Sequence, residues 1–157
     1  MKSQGQVIPQ LNKVLTCKLT SINQFFLHAR MFKNWGLEDL NKAAYKKSIA
    51  DMKQADDIIA RVLFLEGLPN LQALNKLQIG EHTEEMLACD MAFELDNIPV
   101  IREAITLCEQ AQDYVTRELL VKLLDTEEEH VDWLETQQHQ IDTMGIENYL
   151  AAQLESA

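Results

Sequence analysis

Gly67-LPNLQALNKLQIG-Glu81 is the stretch that decides the fold. It follows a long helical period, and glycine just beyond such a period with proline soon after is a strong stop signal; Gly67 and Pro69 supply both. It is fifteen residues long, whereas connections between packed helices usually run to about 2–8 residues. A short loop returns the chain to an antiparallel neighbour, and a long one can cross the whole length of a bundle. Working outward, the chain on either side divides into two long apolar periods. Before the stretch they run from about Gln6 to Asn34, stopped at Trp35-Gly36, and from about Leu37 to Leu65. After it they run from about His82 to Gln112 and from about Asp113 to Met144. Gly145 ends the fourth, and Ile146 to Leu154 form a short fifth. The expected fold is all-α: a four-helix bundle of two hairpins joined by one long crossover, with a short C-terminal helix. Pro99 stands inside the third period, where it removes a backbone hydrogen bond and crowds the preceding turn. A kink or break near Asp96-Asn97 is expected, with the period retained as one element.

The totals agree with one domain over residues 1–157. At 46% hydrophobic and 25% charged, the chain has the composition of a water-soluble globular protein with enough length for a core. No run approaches the ~18 apolar residues of a membrane span, and the first residues lack the apolar stretch of a signal peptide. A cytoplasmic location and no membrane partner are expected. The net charge of −11 repels nucleic acid. Acidity permits traffic in cations, although solubility explains it equally well. Cys17, Cys89 and Cys108 are odd in number and widely spaced, so they read as reduced thiols, neither a disulfide set nor a zinc site.

Each long period carries an inward stripe with steps of three and four. The stripes are Leu11, Leu15, Lys18, Ile22, Phe25, Ala29; then Ala44, Ser48, Asp51, Ala55, Ile58, Val62; then Leu87, Met91, Glu94, Ile98, Ile101; then Leu120, Leu123, Glu127, Val131, Leu134. An ionisable residue interrupts each near its middle: Lys18, Asp51, Glu94 and Glu127. Buried charges are costly unless paired or bound to metal, so four at one depth are expected to meet. Glu127 is followed three residues later by His130, and Glu-x-x-His aims a carboxylate and an imidazole the same way, as di-iron carboxylate bundles require. Alone, that spacing is commonplace on exposed helices. The second period offers Asp51 and Gln54 where a matching pair is needed. Aspartate is one methylene short, and glutamine is a poor iron ligand. Lys18 brings an ammonium to the place of a metal. The alternative to a metal site is therefore an ion-pair cluster in which Lys18 reaches Asp51, Glu94 and Glu127.

The second period has a further, largely apolar face: Tyr45, Ile49, Met52, Asp56, Ile59 and Leu63. A helix apolar on two faces usually buries the second against another subunit. Met52 is central to that face and reads either as a packing residue or as a thioether ligand to haem iron.

Ser21-INQFFLHARMFKNWG-Leu37, Arg61-VLFLEGLPNL-Gln72, Glu127-EEHVDWLE-Thr136 and Met144-GIENYLAAQ-Leu154 together resemble the bacterioferritins over essentially the whole chain. The resemblance implies the ferritin-like fold and a hollow shell of twenty-four subunits that stores iron. It implies haem b between paired methionines at a two-fold contact, here Met52, with Leu19, Ile22, Asn23, Phe26, Tyr45 and Ile49 as haem-pocket positions. The family's di-iron ligands fall on Lys18, Asp51, Gln54, Glu94, Glu127 and His130, of which only the last three keep the family's residue. An inner-surface iron-binding histidine position holds Lys46, its acidic neighbour Ala50, and a redox-active tyrosine position Phe25. The losses cluster on Fe(II) oxidation and spare haem. The chain is thus similar to haem-bearing subunits that co-assemble, in homo- or hetero-oligomeric shells, with a ferroxidase-competent partner, and a ferredoxin-type electron donor is implied. The alternative is a working ferroxidase at a residual iron site of Glu94, Glu127, His130 and Asp51. Restoring glutamate at 18, glutamate at 51 and histidine at 54 is expected to rebuild a two-iron centre.

Overall fold

The computed structural model describes residues 1–155. Four long helices, α1 (Val7–Asn34), α2 (Glu38–Phe64), α3 (Thr83–Gln110) and α4 (Tyr114–Met144), are followed by a short α5 (Ile146–Glu155). No strand occurs among the described residues. α1 pairs with α2 and α3 with α4, each pair being a hairpin. Gly36, at φ +76°, makes the first turn in the left-handed region open to glycine. The second hairpin closes at Gln112, also at positive φ, with Asp113 capping α4: its carboxylate accepts from the Thr116 amide at 3.0 Å. Helix α3 is capped in the same way by His82. Residues placed at the helix ends by periodicity are therefore caps, and α3 stops two residues short of its expected end.

The crossover follows α1 from one end toward the other. Asn12 donates to the Leu68 carbonyl and accepts from the Asn70 amide. Further along, the Asn75 amide donates to Thr20, Gln78 to Gln24, and Gly80 to Nε2 of His28. Asn12, Thr20, Gln24 and His28 lie at multiples of four, so one stripe of α1 grips the crossover along about 24 Å of helix. The backbone of a segment without its own ladder is satisfied in this way. Asp90 of α3 completes the grip, accepting from Gln24 at 2.9 Å and pairing with His28 Nδ1 at 2.8 Å. The crossover delivers the chain to the opposite end, so α3 runs parallel to α2.

Pro99 lies within α3, and the helix continues through it. Pro99 and Leu95 are both exposed, which leaves the deprived Leu95 carbonyl on the solvated side. Cys17, Cys89 and Cys108 are unpaired. Burial raises the Cys17 and Cys108 thiols to about 11, which keeps them protonated. No helix among the described residues is long and apolar enough to cross a membrane.

The interior has two apolar halves. One is built around Leu11, Leu15, Ile58, Val62, Ile101, Leu120 and Leu123. The other contains Ala29, Phe32, Leu40, Met86, Leu87, Leu134 and Tyr149, the last brought in by α5. Between them, along every long helix, sits a polar layer.

Candidate metal centre and the outer face of α2

The polar layer draws on all four helices. Lys18 (α1), Asp51 (α2), Glu94 (α3) and Glu127 (α4) are each at most 4% exposed, and they meet as their stripes predict. Lys18 Nζ lies 3.2 Å from Asp51 Oδ1 and donates to Glu127 Oε1. Ser21, one turn along α1, donates its hydroxyl to the other oxygen of Asp51. Lys18 does not pair with Glu94, contrary to the expected reach.

That place belongs to Lys47, which the stripe reading passes over. Its ammonium stands 2.5 Å from Asp51 Oδ1, 3.1 Å from Glu127 Oε1 and 3.9 Å from Glu94 Oε1. It also lies over the Phe25 ring, 5.1 Å from the centroid. A signal for it exists in the sequence: Lys47 follows Ala44 by three and precedes Asp51 by four, so it shares the core stripe. Lys46, the position singled out by resemblance, is exposed, and Ala50 is half-buried.

The electrostatics follow from two ammonium groups among three carboxylates. Burial acts to raise Glu127, but Lys47 and Lys18 outweigh it and hold the carboxyl well below its ordinary value. Burial and the adjacent Glu127 raise Glu94 well above its own. Burial would lower Lys47, yet Asp51, Glu127 and Glu94 more than compensate, and it stays charged. His130, 3.2 Å from Glu94 through Nδ1, is pushed down to about 3 by burial and by Lys47, and is neutral. Its ring meets Phe25 edge-on at 4.9 Å and stacks on Trp133.

Donor atoms of Glu94, Glu127 and His130 come within 4.8 Å of one another, as a metal site demands. The complete set does not fit two metal ions. Asp51 is committed to Lys18, Lys47 and Ser21. Gln54 stands apart with its Oε1 buried and unpartnered, lining a groove of about 670 Å³ between α2 and α4. Two cations of the protein's own already occupy the space among the carboxylates.

One residue beyond Asp51, the helix presents its opposite side. Met52 is 53% exposed, and Tyr45 and Phe26 are exposed beside it, with ring centroids 6.2 Å apart and Arg30 over both. Leu19, Ile22 and Ile49 are half-buried and Asn23 is exposed on this face. Met52 is thus an exposed thioether on the same helix face as Ile49 and Tyr45.

Residues 8–144 match the ferritin-like domain family. The chain is 44% identical to the bacterioferritin of Rhodobacter capsulatus over 149 residues, 95% of this chain and 92% of that one. It is 40% identical to the bacterial ferritin of Synechocystis over 155 residues, covering 98% and 99%. Bacterioferritin BfrA of Mycobacterium tuberculosis is 40% identical over 151 residues, covering 96% and 95%.

Proposed function

The chain belongs to the bacterioferritin family, and from that premise we propose that it stores iron as a subunit of a hollow shell, holds haem b at Met52, and leaves Fe(II) oxidation to a partner subunit. Iron storage and a multi-subunit shell are what the family implies. The finer statements rest on this chain's residues.

The observation that carries the reading is the Lys18 ammonium between Asp51 and Glu127. A site that oxidises iron through two metals must hold both, bridged at about 3.5–4 Å. Here the bridging carboxylates are spent on ammonium groups, while the outer face of the same helix keeps Met52 open to a second copy. A two-fold contact brings the same methionine from both sides. Bound there, haem supplies one-electron transfer for reductive release of stored iron. Phe26, Tyr45 and Ile49 would flank the macrocycle, and Arg30, which lies over the Phe26 and Tyr45 rings, would be available to an anionic group on it.

The test is aerobic addition of Fe(II) to haem-loaded shells of this chain alone, followed by oxygen consumption. A rate equal to the protein-free control is expected. A fast phase saturating at about two irons per subunit overturns the proposal. It favours instead a ferroxidase built on Glu94, Glu127 and His130, the reading that their mutual proximity supports.

A further inference from the structure

We propose that Lys47, and not Lys18, is the group that keeps divalent metal out of Glu94, Glu127 and His130. The inference deepens the non-oxidising reading above and rests on it. It concerns which side chain closes the site.

The two lysines share Asp51 Oδ1 and Glu127 Oε1. They differ in what lies beyond: Lys18 has Ser21 on the far oxygen of Asp51. Lys47, at 2.5 Å from Asp51 and 3.1 Å from Glu127, is the one that also approaches Glu94, at 3.9 Å. The three groups able to bind a metal are Glu94, Glu127 and His130, and two of them face Lys47. A divalent ion seated among them would lie within a few ångströms of a fixed positive charge in a medium that screens poorly. Lys47 cannot readily withdraw. It is held one turn from Asp51 by a 2.5 Å ion pair, and Phe25 lies beneath its ammonium. The geometry therefore makes Lys47 a built-in cation on the Glu94 side of the site. Removing Lys18 leaves it there.

This changes what is needed to rebuild a centre. Restoring Lys18→Glu, Asp51→Glu and Gln54→His together leaves Lys47 in place. The three changes expected from sequence to suffice will not do so without a fourth at Lys47.

Co(II) serves as the probe, added anaerobically to shells of the full chain, because its visible absorption reports coordination without turnover. The expected result is no site-bound Co(II) in the unaltered chain or in Lys18→Ala. Lys47→Ala is expected to bind about one Co(II) per subunit through its three ligands, with a Tm raised by the metal and binding abolished by a further His130→Ala. The inference is overturned if Lys18→Ala alone binds, if folded Lys47→Ala binds no more than the unaltered chain, or if binding survives His130→Ala. Circular dichroism and gel filtration establish folding and assembly. If Lys47→Ala does not assemble, Lys47→Gln keeps a polar group at that place and is read in the same way. Binding of two Co(II) by the unaltered chain defeats the non-oxidising reading as well. Opening by Lys18→Ala alone defeats only this inference.

Discussion

A lysine in the middle of a protein is stable only in company, and at the residue scale this molecule is governed by how two lysines find it. Lys18 is 2% exposed and Lys47 7%, so neither ammonium has water to fall back on. Removing one partner from such a set leaves charge buried and uncompensated, which usually costs about 3–5 kcal/mol. Lys18→Ala is accordingly expected to lower stability by about that amount, measured as a shift in the denaturation midpoint. A midpoint within ~0.5 kcal/mol of the parent means that Lys47 alone neutralises the cluster. Lys18, Asp51, Glu94 and Glu127 were legible as a meeting set because each interrupts an apolar stripe. Lys47 was less so, because it lies at the edge of the stripe that runs through Ala44 and Asp51. Only the crossing of α2 against α1 and α4 turns that edge inward.

At the scale of elements, the helices are held by their ends and by the segment that joins the hairpins. Asp113 caps α4 and also pairs with Arg61 of α2 at 3.0 Å, tying the C-terminal end of α2 to the start of α4. Burial opposes its ionisation, but Thr116 and Arg61 outweigh burial and hold its carboxyl below the ordinary 3.8. The folded state thus favours the charged form. The stabilisation is full above 3.8 and fades as pH falls through the lower folded value. Asp113→Ala is expected to cost about 1 kcal/mol at neutral pH and to flatten that acid dependence, both visible in thermal melts across pH. The crossover depends on Gly80, where a Cβ would lie 2.5 Å from the Met86 amide nitrogen. Gly80→Ala must push the segment off α3, which strains the bond from Gly80 to His28. Faster amide exchange over residues 75–80 is expected, with the long helices unchanged. Equal exchange would show that the seat adapts. The crossover's length could be read from Gly67, Pro69 and the missing period. Its grip could not, since Asn12, Thr20, Gln24 and His28 are ordinary polar residues until a second segment lies along them.

At the scale of the whole molecule, α2 separates two roles by one step of the chain. Asp51 points into the polar layer, and Met52 faces out among exposed apolar side chains. A helix turns 100° per residue, so neighbours in sequence can serve the interior and a subunit contact independently. This explains how the inner site can fill with lysines while the outer face stays free for the haem contact proposed above. Met52→Leu is expected to abolish the haem absorption band and leave the shell's gel-filtration volume unchanged. Retained haem in that variant places the axial ligand elsewhere.

By itself the sequence determined the all-α bundle, its crossover, the family, and the depth at which charged residues interrupt the stripes. Those features depend on local order: helical period, glycine and proline stops, and residue type along one face. Only the tertiary structure decided which carboxylate each ammonium takes, that Lys47 joins them, and that Gln54 stands outside. Ion pairing depends on distances between side chains of different helices, and a rotation of one helix by a single residue step or a slide of a few ångströms changes every partner.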